Sequence, residues 1–144
     1  MFGLGPKSKR TKPLVLHIDD DPITRALISE TFTEIGVDVL NASNGADGIK
    51  TALKELSDLI LLDVEMPGMT GYEACQSLKT NPKSEKIPIR MITGMDPVKN
   101  VEKALACGAN SYITKPFQLD RLHAKARPFL FPDPASPSEQ PPAS

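Results

Sequence analysis

The chain has 144 residues, a formal net charge of −1 and 40% hydrophobic residues, which fits one domain with a real core. A charge so close to neutral argues against a nucleic-acid binder dominated by phosphate contacts, so no direct nucleic-acid partner is expected. No apolar stretch approaches a membrane span, and the basic N-terminus (Lys7, Lys9, Arg10, Lys12) lacks the apolar segment of a secretory signal; a soluble, cytoplasmic protein without membrane insertion is expected.

Residues 1–12 form a basic flexible N-terminal segment, read as a solvated tail in preference to a docking arm for an acidic partner. The first predicted strand, Leu14–Ile18, is apolar and runs into Asp19-Asp20-Asp21-Pro22. A helix follows with Leu27, Ile28, Phe32 and Ile35 on one face, and Gly36 stands where it should stop. Val37–Leu40 reads as the second strand, and Ala46, Ile49, Leu53 and Leu56 mark the second helix. The third strand, Leu59–Leu62, delivers Asp63 into a loop punctuated by Pro67, Gly68 and Gly71. The third helix, near Tyr72–Leu78, has the weakest pattern. Ile87–Ile92 ends at Thr93-Gly94, and Val98, Val101 and Leu105 mark a fourth helix that Gly108 should close. Ser111–Thr114 precedes Lys115-Pro116, and Leu119, Leu122 and Ala126 mark a fifth helix that Pro128 should end early. Residues 132–144 carry five prolines with Ser and Ala and read as a disordered tail, leaving 13–131 as the domain.

Strands and helices that alternate in this way predict an α/β fold, a doubly wound parallel sheet covered by helices on both faces. The right-handed crossover rule favours the flavodoxin-like strand order 2-1-3-4-5. In that order the first and third strands are neighbours, and Asp19, Asp20 and Asp63 converge at the C-terminal edge of the sheet, where open α/β folds bind ligands. Like charges at such proximity must take up protons or hold a cation, and at neutral pH a cation is expected. A hard ion such as Mg²⁺ suits oxygen ligands, with Asp20 and Asp63 as direct ligands, the Glu65 backbone carbonyl as a third, and Asp19 acting through water. One of residues 19–21 is needed as a helix cap, which accounts for part of the cluster only. Thr93 and Lys115 bring a hydroxyl and an ammonium to the same edge, so metal and phosphoryl group could be held together. Cys75 and Cys107, far apart in sequence and without metal-ligand spacing, read as reduced thiols, with a disulfide the weaker option.

Over about residues 13–127 the sequence resembles the receiver domain of bacterial two-component response regulators. The resemblance rests on Ile18-Asp19-Asp20-Asp21-Pro22, Leu62-Asp63 with Met66-Pro67-Gly68 and Gly71, Ile92-Thr93-Gly94, and Gly108-Ala109 leading to Lys115-Pro116-Phe117. It implies that Asp63 is a phosphoacceptor, attacking a phosphohistidine of a sensor histidine kinase or phosphotransfer protein, or a small phosphodonor. Mg²⁺ would be bound by Asp20 and Asp63 and oriented through Asp19, while Lys115 and Thr93 would hold phosphoryl oxygens. Such a domain would promote its own phosphorylation and dephosphorylation without being a conventional enzyme. The resemblance further implies a switch in which Thr93 moves toward the phosphoryl group and Tyr112 turns inward. The face built by the fourth helix, fifth strand and fifth helix would then control a protein target.

Some positions depart from the family pattern. Glu65, two residues beyond Asp63, is expected to modulate loss of the phosphoryl group, and Gly94 leaves the acceptor comparatively open. His17 and Arg90 interrupt strands that are usually aliphatic; His17 reads as a structural core residue, and Arg90 needs an acidic partner or a route to water. His123 reads as a surface residue. The loose set Lys99, Glu102, Lys103, Asp120 and Arg121 makes dimerisation through that face doubtful. With no output domain evident after residue 131, a stand-alone receiver or phosphorelay component is expected. The alternatives are a phosphorylation-independent pseudo-receiver and, less favoured, a Mg²⁺-dependent phosphohydrolase of the haloacid dehalogenase type.

Overall fold

The computed structural model describes residues 10–94, 97–115 and 119–131. Most of the basic N-terminal segment, the Pro-rich tail, Pro116 and Phe117, and the side chains of Val98, Lys99, Val101, Leu119 and Arg121 lie outside the described residues. The elements alternate: β1 (Leu14–Ile18), α1 (Pro22–Glu34), β2 (Asp38–Ala42), α2 (Gly45–Glu55), β3 (Leu59–Asp63), α3 (Gly71–Lys79), β4 (Ile89–Thr93), α4 (Pro97–Ala106), β5 (Ser111–Thr114) and α5 (Leu119–Leu130). All strand pairs are parallel, in the order β2-β1-β3-β4-β5.

Burial on both faces of the sheet explains why the strands read as continuous apolar runs. On one face Leu16, Ile18, Ile60, Leu62 and Met91 pack with Ala52 of α2, Cys75 and Leu78 of α3 and Ala104 of α4. On the other, Val15, Leu59, Leu61 and Ile113 pack with Ile28 and Phe32 of α1 and Leu122 and Ala126 of α5. Gly36 and Gly108 end α1 and α4 with φ of 84° and 98°, the left-handed backbone that favours glycine.

Several sequence expectations need correction. β2 begins at Asp38 and reaches Ala42, because pairing with β1 sets Leu14 opposite Asp38 and Ile18 opposite Ala42. β4 begins after Pro88, which has no N–H to give, although its carbonyl accepts from Ile60 N at 3.0 Å. Leu27 and Leu105 are exposed, as is Ala46, because the buried faces of α1, α4 and α2 are carried by Ile28 and Phe32, by Ala104, and by Gly48 and Ala52. Pro128 does not end α5, which continues to Leu130. A single missing N–H near a helix end is offset by burial of Leu130 and by the Phe131 N–H bond to Arg127 O at 2.8 Å.

His123 is half-buried instead of exposed. Its Nε2 lies 3.0 Å from Thr31 Oγ1, and its ring meets Phe32 edge-to-face at 5.0 Å, joining α5 to α1. Arg90 donates from Nη1 to Ser111 Oγ on β5 and places its guanidinium 5.3 Å from the centre of the Phe129 ring. Burial lowers its pKa to about 10, so it stays cationic at neutral pH. Arg10 bonds the Glu55 and Leu56 carbonyls and pairs with Asp58 at 3.0 Å, and the same carboxylate oxygen accepts from Leu14 N at 2.9 Å. This network fixes the N-terminal end of β1.

Candidate functional site

Four strand ends build the site, those of β1, β3, β4 and β5. Asp19 follows β1, with its N–H bonded to Ala42 O at 3.0 Å and its carbonyl accepting from Arg25 Nη1 at 2.7 Å. Its Oδ1 accepts from Asp21 N at 2.9 Å, while Oδ2 is buried without a hydrogen-bond partner among the described residues. Asp21 takes the capping role, accepting from Ile23 N at 3.1 Å and Thr24 Oγ1 at 2.7 Å. The cap expected among residues 19–21 is therefore Asp21, which leaves Asp19 and the exposed Asp20 uncommitted to the helix.

Asp63 is the last residue of β3 and is 3% exposed. The loop beyond it is closed by Val64 N to Ile92 O and Gly71 N to Val64 O, each 3.0 Å. Lys115 Nζ reaches across from the end of β5, 3.0 Å from Asp63 Oδ1 and 3.9 Å from Asp19 Oδ2. Its position is set by its own N–H, which bonds Thr93 O at 2.7 Å. Oxygens of Asp19, Asp20 and Asp63 lie within 4.8 Å of one another. Thr93, at the end of β4, is 1% exposed and its Oγ1 has no hydrogen-bond partner among the described residues.

The two buried carboxylates titrate in opposite directions. Burial and the negative charge of Asp19 raise Asp63 to about 6, with Asp20 adding to the effect and Lys115 only partly opposing it. Asp19 is lowered: burial works against its ionised form, but His17, the Asp21 N–H and Lys115 outweigh it. The positive partner Lys115 is raised, because its pairing with Asp63 overcomes its own desolvation.

Sequence reasoning assembled Asp19, Asp20, Asp63, Thr93 and Lys115 at one edge, and the structure places all five there. It did not find the contact of His17 with this group: His17 Nε2 is 3.5 Å from Asp19 Oδ2, both side chains fully buried. The signal was present, since residues two apart on a strand point to the same side. Arg25, one turn into α1, was also missed. Glu65 is exposed on the loop after β3, Gly94 is exposed beside Lys115, and Tyr112 is half-buried against the core face that carries α2, α3 and α4.

A buried carboxylate beside two further carboxylates and an ammonium, at the C-terminal edge of a parallel sheet, marks an α/β domain with its ligand-binding position at that edge. The chain belongs to the response regulator receiver domain family, whose model matches residues 15–127. Receiver domains are modules of two-component systems. The chain is 34% identical over 118 residues to the DNA-binding dual master transcriptional regulator RpaA of Synechocystis sp., covering 82% of this chain and 49% of RpaA. It is 34% identical over 113 residues to the transcriptional regulatory protein HprR of Escherichia coli, covering 78% and 49% of the two chains. The chain thus spans about half the length of these curated relatives. Chemotaxis response regulator CheY4 of Vibrio cholerae superimposes with a TM-score of 0.77 at 31% identity, over 83% of this chain and 100% of CheY4. Strand order and family agree with the sequence reading. No helix among the described residues is long and apolar enough to cross a membrane.

Proposed function

We propose that Asp63 accepts a phosphoryl group from a phosphohistidine of a sensor kinase or phosphotransfer protein, and that this switches the face formed by α4, β5 and α5 toward a downstream protein. The observation that carries this reading is the buried Asp63 carboxylate, paired with Lys115 at 3.0 Å and clustered with Asp19 and Asp20. An Asp63 oxygen attacks phosphorus as the bond from phosphorus to the donor imidazole breaks, and the departing imidazole takes up a proton. Lys115 balances negative charge at the acceptor and Thr93 Oγ1, unpartnered in its buried position, offers a hydrogen bond to a phosphoryl oxygen.

The donor set fits Mg²⁺. Its members are hard oxygens, Asp63 is driven toward protonation by burial and by its acidic neighbours, and Asp19 Oδ2 is buried with no hydrogen-bond partner among the described residues. Asp20 and Asp63 would ligate it directly with the Glu65 backbone carbonyl, and Asp19 would act through water. When bound, the ion neutralises charge on the phosphoryl oxygens. Movement of Thr93 and an inward turn of Tyr112 would carry the signal to the output face.

Acetyl phosphate with Mg²⁺ should add one phosphoryl group to the intact mass, and Asp63→Asn or removal of Mg²⁺ should abolish it. An adduct that persists in Asp63→Asn would overturn the assignment. Phosphate-independent signalling would be favoured if neither an adduct nor released phosphate forms. Glu65 stands exposed beside the acceptor, where a carboxylate can orient water. Glu65→Ala is therefore expected to lengthen the half-life of the phosphorylated chain several-fold, measured by mass after donor removal; an unchanged half-life would remove Glu65 from the account.

A further inference from the structure

Cys75 and Cys107 are 32 residues apart in sequence and adjacent in the fold. Cys75 lies on the buried face of α3, and Cys107 is in the turn directly after α4. Cys75 Sγ donates to the backbone carbonyl of Cys107 at 3.5 Å, which sets the two residues side by side. Cys107 Sγ also lies 3.1 Å from Ala104 O. Both cysteines are free. They differ in access: Cys75 is fully buried, while Cys107 is partly exposed. We infer that Cys75 and Cys107 form a reversible dithiol–disulfide pair in which Cys107 is the entry point for a peroxide and Cys75 is the resolving thiol.

The chemistry closes without another reactant. The Cys107 thiolate attacks one peroxide oxygen, an S–O bond forms, the O–O bond breaks, and the departing hydroxide leaves as water. Cys75 sulfur then attacks Cys107 sulfur, an S–S bond replaces the S–O bond, and the second hydroxide leaves with the Cys75 proton as water. Two thiols are oxidised and one peroxide is reduced. Access favours this order, since a peroxide can reach the partly exposed Cys107 but not the fully buried Cys75. Cys107 can also adjust to disulfide geometry. It lies outside the α4 helix proper, and the next residue, Gly108, has φ of 98°. Thiols held reduced in a reducing compartment become switchable when paired in this way.

The bond would tie α3 to the last turn of α4, one edge of the proposed output face; this consequence rests on the proposed function, whereas the thiol chemistry does not. The test uses the native chain, without phosphodonor or Mg²⁺. After hydrogen peroxide and quenching, the intact mass should fall by two hydrogens and both alkylatable thiols should disappear. Tryptic peptides Glu55–Lys79 and Ala104–Arg121 should appear linked, and dithiothreitol should restore both. Cys75→Ser should give only an oxidised, dimedone-reactive Cys107, and hydrogen exchange at α4 should slow in the disulfide form. Thiols that stay alkylatable, over-oxidation of Cys107 without linkage, or a bond between two chains would each overturn the pair. Unchanged exchange at α4 despite the bond would overturn the coupling to that helix. Because the mass readout is made on the native sequence, a poorly folding variant does not affect it.

Discussion

Without a divalent cation, Asp63→Asn is expected to be more stable than the native sequence at about pH 7.5, by about 2–3 kcal/mol. Asp63 is raised from 3.8 to about 6 by burial and by the charges of Asp19 and Asp20. Between those two values the folded chain holds a proton that the unfolded chain has released. Stability therefore falls as pH rises through that window, and the cost is fully present above it. Asparagine has nearly the shape of the protonated acid and carries no such cost. Urea denaturation should show the gap near neutral pH and its disappearance at about pH 4. Mg²⁺ should act the other way, stabilising the native sequence by mass action and leaving Asp63→Asn almost unaffected. An Asp63→Asn protein less stable than the native one without Mg²⁺ would mean that the Lys115 pair, at 3.0 Å, outweighs the repulsion. The acidic cluster would thus cost the fold stability that a bound cation would restore, which is the physical basis for reading it as a site.

Gly71→Ala should cost about 3 kcal/mol or more and displace the acceptor. Gly71 opens α3 and its N–H bonds Val64 O at 3.0 Å, so the helix start is drawn against the end of β3. A Cβ there would fall on the Asp63 carbonyl oxygen and within 2.7 Å of Val64 Cα. These are backbone atoms, and no rotamer change can relieve the overlap. Chemical denaturation and acetyl phosphate labelling should both register the change. At Gly94 a Cβ would make an ordinary 3.5 Å contact with Lys115 Cβ, so Gly94→Ala serves as the control for stability alone. Near-native stability in Gly71→Ala would show that the loop after β3 can shift without consequence.

The strand that carries Asp63 was legible because both faces of the sheet are buried, so Leu59–Leu62 reads as an unbroken apolar run that stops at a charge. The carboxylate cluster followed once the strand order was inferred, since that order alone makes β1 and β3 neighbours. β1 and β5 matched their predicted limits, whereas β2 and β4 were displaced by one or two residues because pairing register and Pro88, not apolarity, set their ends. Helix faces were less legible. Most predicted stripe residues do pack inward, Ile28, Phe32, Ile49, Leu56, Leu122 and Ala126 among them, but Leu27, Ala46 and Leu105 are exposed and small residues such as Gly48, Ala52 and Ala104 share the burying. Contacts between distant elements left no local pattern at all. The Cys75–Cys107 pair and the seat of His123 between α1 and α5 depend on how helices rotate against the sheet. Arg90 was flagged as needing a partner, but its contacts with Ser111 and Phe129 depend on β5 and α5 together.

The central claim is that Asp63 itself carries the phosphoryl group. Borohydride reduces an acyl phosphate to an alcohol while sparing free carboxylates. Reduction after acetyl phosphate and Mg²⁺ treatment, followed by sequencing of tryptic peptides Thr11–Arg25 and Glu55–Lys79 by mass spectrometry, therefore names the acceptor. The reduced side chain is expected at position 63 and nowhere else. Reduction at Asp19 or Asp20, or a phosphorylated chain with position 63 intact, would contradict it.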